Sequence, residues 1–200
     1  MITYSYLALG DSYTIGEQVA FAENFPNQTV LQLRKAGFTF SAAEIIAKTG
    51  WTTDELDAAI DVANILKQYD IVSLLIGVNN QYRGRSVNNF KIEFEHLLQR
   101  AIQFAGNKPH RIFVLSIPDW GVTPFADGRD RKQIADEIDV FNAVCQTSAE
   151  AFQTNFINIT VSQRADGNKT AFLAPDGLHP SGKEYKKWAD KLTDAILKQL

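Results

Sequence analysis

Three residues near opposite ends of the chain, Ser12, Asp176 and His179, are of the types that a nucleophilic site needs. A serine hydroxyl is a weak nucleophile at neutral pH. An imidazole within hydrogen-bond reach must take its proton, and a third group must fix the imidazole tautomer. Ser12 directly follows the apolar run Tyr6-Leu7-Ala8-Leu9, in Gly10-Asp11-Ser12-Tyr13. His179 lies in Asp176-Gly177-Leu178-His179-Pro180-Ser181, so a three-residue tether makes Asp176 a local orienting group, and Pro180 restricts the histidine backbone. Each feature also has an ordinary reading. Gly-Asp-Ser after a strand makes a turn, and Asp176 can cap the last loop while a backbone carbonyl orients His179.

Composition narrows the partner. Two hundred residues that are 45% hydrophobic bury one sizeable core, so residues 1–200 read as a single domain. A net charge of -3 with both signs scattered presents no basic face for nucleic acid and no polybasic run for an anionic membrane, which leaves a small molecule. Neither Gly-x-Gly-x-x-Gly nor Gly-x-x-x-x-Gly-Lys-Ser/Thr occurs, and the three histidines have no metal-ligand spacing, so neither cofactor nor metal is expected. The lone Cys145 falls in a helical pattern as a small core residue. Residues 1–8 have no basic n-region, and no run approaches the ~20 apolar residues of a membrane span. Stable membrane insertion is therefore not expected, and cytoplasmic residence is the default unless a leader has been removed.

The elements that must position these residues alternate strand and helix. Strand patterns over 4–9, 39–47, 71–76, 111–115 and 156–159 precede helical patterns over 25–36, 53–67, 86–105, 131–154 and 182–200. Five such repeats predict a three-layer α/β/α sandwich around a five-stranded parallel sheet in flavodoxin-like order. Thr52-Thr53-Asp54-Glu55 has capping-box spacing, Ser86 and Ser181 occupy N-cap positions, and Gly37 and Gly106 occupy helix C-terminal positions. The segments 77–85, 116–130 and 160–181 read as irregular, and each follows a strand. Ligands of open parallel sheets bind beyond the carboxyl ends of the strands.

Four post-strand segments taken together carry a resemblance. Gly10-Asp11-Ser12-Tyr13, Gly50 in Thr49-Gly50-Trp51, Gly77-Val78-Asn79-Asn80 and Asp176-Gly177-Leu178-His179 resemble, in order, the four sequence blocks of the SGNH (GDSL-type) hydrolase family. Tyr13 stands where Leu is commoner, and Asn80 replaces the Asp that usually ends the third block. The match covers most of the chain. The resemblance implies a serine esterase or acylhydrolase acting on small or short-acyl carboxylic esters, with acetylated carbohydrates and lysolipids among the candidates. Ser12 would be the nucleophile, His179 the base and Asp176 the orienter, with the Ser12 and Gly50 amides and the Asn79 side chain as oxyanion donors. The same fold and residues also suit acyl transfer between alcohols, and a relative without turnover would be an acyl- or sugar-binding module.

Other roles stay open in the sequence. Gly50 also suits a strand-end turn, and Asn79 and Asn80 also suit Asx-turns. Trp120 covers a sheet edge or walls a pocket; Tyr13, Trp51 and Tyr82 flank the site blocks; Arg83 and Arg85 attract a substrate anion or stay solvated. His96 and His110 read as surface residues. The nucleophile lacks a Gly-x-Ser-x-Gly elbow, because Thr14 occupies the last glycine position.

Overall fold

The computed structural model describes residues 2–200. Strands β1 (Tyr6–Asp11), β2 (Glu44–Lys48), β3 (Ile71–Leu75), β4 (Ile112–Leu115) and β5 (Asn155–Ile157) form one parallel sheet in the order β2-β1-β3-β4-β5. This is the expected α/β architecture, in the flavodoxin-like strand order. β1, β3 and β4 bury every residue, whereas the edge strands β2 and β5 are only partly covered. The unbroken apolar runs in the sequence are thus those strands with a neighbour on each side and helices on both faces.

The helices are α1 (Ser12–Ile15), α2 (Phe25–Lys35), α3 (Thr53–Ala63), α4 (Val78–Tyr82), α5 (Val87–Phe104), α6 (Arg131–Ala151), α7 (Thr160–Asp166) and α8 (Gly182–Leu197). The connection from β1 to β2 runs one way along the sheet, and the later connections run the other way. Right-handed crossovers therefore separate the helices into two layers. α2 packs on α8, and α3, α5 and α6 pack side by side. The rings of Phe25, Tyr185 and Trp188 cluster in the first layer, and Phe90, Phe94 and Phe141 cluster in the second. Cys145 is buried in α6, as its neighbours in the sequence suggested.

Several boundaries differ from the sequence pattern, for local reasons. α3 stops at Ala63 rather than 67 because Asn64 adopts a left-handed conformation (φ 45°), and α6 stops at Ala151 ahead of left-handed Gln153. β2 starts at Glu44 because residue 40 makes only an isolated bridge to Tyr4, whose ring stacks on Phe40 at 5.2 Å. Three short helices, α1, α4 and α7, occupy positions read as loop, being too short to show a helical period. The Thr52–Glu55 capping box and the Ser86 cap form as expected. The Ser181 hydroxyl instead donates to the Ala171 carbonyl at 2.9 Å and caps nothing.

The order of connections leaves a crevice at the carboxyl ends of β1 and β3, where the chain departs in opposite directions. Ser12 is the first residue after β1, and Asn79 lies in the first turn after β3. No described helix is long and apolar enough to cross a membrane.

Candidate active site

The turn that presents Ser12 depends on its two predecessors. Asp11 ends β1 and caps α1, accepting the Tyr13 amide at 3.0 Å, while Gly16 closes the turn in left-handed conformation. A Cβ on Gly10 would stand 2.1 Å from Thr14 Oγ1 and 2.4 Å from the Leu75 carbonyl oxygen, so only glycine lets α1 fold back this closely onto β3.

His179 reaches the same point from the far end of the chain. Its Nε2 lies 2.9 Å from Ser12 Oγ, and its Nδ1 lies 2.6 Å from Asp176 Oδ2. Asp176 Oδ1 accepts the amides of Leu178 and His179, both at 3.0 Å. The carboxylate thus both caps the loop and holds the imidazole, one function on each oxygen. Because an ionised carboxylate only accepts, Nδ1 carries the proton and Nε2 is free to accept from the serine. Burial pushes the Asp176 pKa up, but hydrogen bonds from the His179 ring and from the His179 and Leu178 amides outweigh it and hold the carboxyl below its usual value. The loop is fixed by Ala174 N donating to the His179 carbonyl (2.8 Å), and the imidazole packs on the Tyr13 ring, centroids 5.2 Å apart.

The Gly50 loop is gripped by α4. Asn79 Nδ2 donates to the Trp51 carbonyl at 2.9 Å, and Arg83 Nη2 donates to the Gly50 carbonyl at 2.6 Å. Buried Asn80 accepts the Thr53 amide at 3.1 Å and donates from Nδ2 to Thr53 Oγ1 at 2.6 Å; that hydroxyl in turn donates to Glu93. Gly50 itself has φ 84°, a left-handed conformation suited to glycine. Asn80 therefore makes no local Asx-turn but joins two loops.

Ser12, Gly50, Asn79 and His179 border one cleft of about 190 Å³, walled by Tyr13, Val78, Tyr82, Trp120, Phe125 and Leu178. Trp120 walls the cleft, and its indole N–H is held by Gln81 Oε1 at 2.8 Å. Trp51 offers the site its carbonyl and keeps its ring outside the cleft. Arg83 and Arg85 are not free to meet an anion: Arg83 also pairs with Glu55 at 3.2 Å and Arg85 with Asp54 at 2.6 Å, and the Arg85 contact lowers the Asp54 pKa to about 2. His96 is exposed beside Asp57, and His110 is exposed as well. Sequence reasoning missed Val78 and Leu178 as wall residues, although both lie in segments it singled out. Among the described residues no cluster of three His, Cys, Asp or Glu side chains is suited to a metal ion.

A second carboxyl beside Ser12 is shifted the opposite way from Asp176. Burial pushes the Asp11 pKa up to about 7, the Tyr13 amide offsetting this only in part, and Asp11 Oδ2 is buried without a hydrogen-bond partner. A folded pKa above the ordinary 3.8 means that this group's contribution to stability is complete below about pH 4 and is lost as pH rises through about 7, a swing of ~4 kcal/mol. Asp11→Asn keeps an acceptor for Tyr13 and removes the titration. The variant's melting temperature relative to wild type will rise between pH 4 and pH 8; parallel profiles would show that Asp11 does not titrate there.

The Asn80–Thr53–Glu93 chain also carries a prediction. Asn80→Asp puts carboxylates at both ends of one hydroxyl, which has a single proton to give, so that variant loses ~1–3 kcal/mol in urea unfolding. Adding Glu93→Gln restores much of the loss. Independent, additive effects of the two changes would refute the chain as drawn.

The chain matches the model of the GDSL-like lipase/acylhydrolase family over residues 8–187. No curated protein sequence matches it. Among solved structures it is similar to TesA (TM-score 0.76, 16% identity, 100% of both chains), to a lipase/acylhydrolase from Enterococcus faecalis (0.75, 19%, 100% of this chain and 97% of that one) and to the psychrotrophic esterase EstA from Pseudoalteromonas sp. (0.74, 16%, 98% of both). At these identities the likeness is one of fold. The family match spans β1 to the middle of α8 and takes in all four candidate blocks, and the chain belongs to the GDSL-like lipase/acylhydrolase family.

Proposed function

We propose that this protein is a serine ester hydrolase that works through an acyl-enzyme within one catalytic domain. The observation that carries the proposal is the continuous path from Asp176 Oδ2 through His179 to Ser12 Oγ, at 2.6 and 2.9 Å. Ser12 Oγ attacks the ester carbonyl as its proton passes to His179 Nε2. Asp176 favours the imidazolium that forms without taking the proton. The tetrahedral oxyanion is met by the Ser12 and Gly50 amides and by the Asn79 carboxamide, whose second N–H is not needed for Trp51. His179 then protonates the departing alcohol, water replaces it, and the same cycle releases the acid and frees Ser12.

Cleft size supports small acyl groups. At about 190 Å³ the space is below the ~300–1,000 Å³ that holds a drug-sized ligand, and its walls are largely aromatic and aliphatic. Short-acyl esters, including acetylated alcohols or sugars, fit this description better than long-chain esters.

Hydrolysis of p-nitrophenyl acetate, butyrate and octanoate at pH 8 tests the reading. Wild type will favour the two shorter esters, and Ser12→Ala and His179→Ala will each lose at least ~10³-fold in kcat. A fluorophosphonate will label wild type and leave Ser12→Ala unlabelled. Turnover that survives Ser12→Ala would end the proposal.

The grip of α4 on the Gly50 loop predicts graded effects. Asn79→Ala, which removes a donor, lowers kcat by ~10²–10³. Arg83→Met, which frees the Gly50 carbonyl, lowers it by roughly 10-fold with KM unchanged, and Arg83→Lys recovers part of that loss. An Arg83→Met enzyme with wild-type kcat would show that the Gly50 peptide needs no such anchor.

A further inference from the structure

We propose that the rim of the cleft beyond Tyr82 and Trp120 is an anion subsite anchored by Arg129, so that the preferred esters carry a carboxylate at the far end of a short acyl chain. This rests on the serine esterase reading for its activity readout only. The arginines that flank the third sequence block are already engaged, Arg83 by Glu55 and the Gly50 carbonyl, Arg85 by Asp54. Arg129 differs in every contact. Its guanidinium lies over the rings of Tyr82 and Trp120, 5.4 and 5.6 Å from their centroids, and its protein hydrogen bond is from Nη2 to the Tyr82 hydroxyl at 3.3 Å.

The nearest acidic residues in sequence are directed elsewhere. Asp127 pairs with Arg131 at 2.6 Å, and Asp130 caps α6 by accepting the Gln133 amide at 2.9 Å. No described carboxylate lies within ion-pair distance of Arg129, so most of its five N–H donors face solvent. Contact with two aromatic rings holds the guanidinium at this rim and leaves N–H donors for an oxyacid. The rings are themselves held: Tyr82 and Trp120 meet edge to face at 5.3 Å, and Gln81 pins the indole. Both rings also wall the cleft at Ser12. An acyl chain that leaves Ser12 along this wall and passes the two rings enters the adjoining groove that Arg129 lines with Asp130 and Glu137. The Asp130 carboxylate accepts from Gln133, and that of Glu137 accepts from Gln81 and Gln133. A carboxylate there exchanges water for a paired, oriented guanidinium, whereas a methyl group gains nothing.

Monoethyl adipate and ethyl valerate differ in this respect, and ethanol release measures both. Wild type will show a KM at least ~5-fold lower for the anionic ester, and the advantage will shrink in 0.5 M salt. Arg129→Gln will erase the advantage by raising KM for monoethyl adipate while leaving ethyl valerate unchanged, and Arg129→Lys will retain part of it. Equal KM values in wild type, or an advantage that persists in Arg129→Gln, would overturn the subsite. If neither ester is hydrolysed, the esterase reading fails on its own and the subsite is decided by binding. Adipate will then shift the Trp120 indole N–H resonance in wild type and not in Arg129→Gln, the resonance being assigned through Trp120→Phe. No shift in wild type would refute it.

Discussion

Gly10 is where the sheet and the candidate chemistry meet. The turn after β1 folds back so tightly that any side chain at residue 10 would overlap Thr14 and the Leu75 carbonyl. That closeness lets α1 begin with Ser12 at the end of a central strand, held by β2 on one side and β3 on the other. The strand therefore supplies rigidity, and the turn sets the largely buried Ser12 on the wall of the cleft. Histidine, glycine and asparagine are then carried to a serine that has little freedom to move toward them.

Two carboxyls near Ser12 show how environment divides like groups. Asp176 keeps about a third of its side chain exposed and accepts three hydrogen bonds, so it stays ionised beside the imidazole. Asp11 is fully buried with one oxygen unpartnered, so its charge is disfavoured. Two full negative charges in this space would burden the fold. With Asp11 largely neutral in mildly acidic conditions, Asp176 is the dominant anion near Ser12.

The loop that carries Gly50 is ordered by its neighbour rather than by itself. Asn79, Asn80 and Arg83 all reach from α4 to residues 50–53. A single short helix after β3 thereby sets the position of the loop after β2, and the two strands are separated in the sheet only by β1. The family's usual aspartate is absent at residue 80, and here an amide bridges to a hydroxyl whose proton is taken by Glu93. The negative charge has in effect moved one hydrogen bond outward while the connection between loops persists.

What the sequence determined by itself was local. Apolar runs marked β3 and β4, the Thr52–Glu55 spacing marked the start of α3, and the three-residue interval made Asp176 a partner for His179, because strand burial, helix capping and short tethers depend on neighbours in the chain. The ordered blocks also identified Ser12, Gly50 and Asn79 as residues to be brought together. Only the tertiary structure decided that His179 Nε2 meets Ser12 Oγ across most of the chain, that Trp51 contributes a carbonyl while Trp120 contributes a ring, and that Glu55 and Asp54 engage Arg83 and Arg85 while Arg129 rests on aromatic rings. The single-turn helices α1 and α4 were equally invisible beforehand, since four or five residues cannot display a 3.6-residue period. Which acid satisfies which base, and which donor is left for a substrate, follow from distances between loops on different strands, and no spacing along one chain contains them.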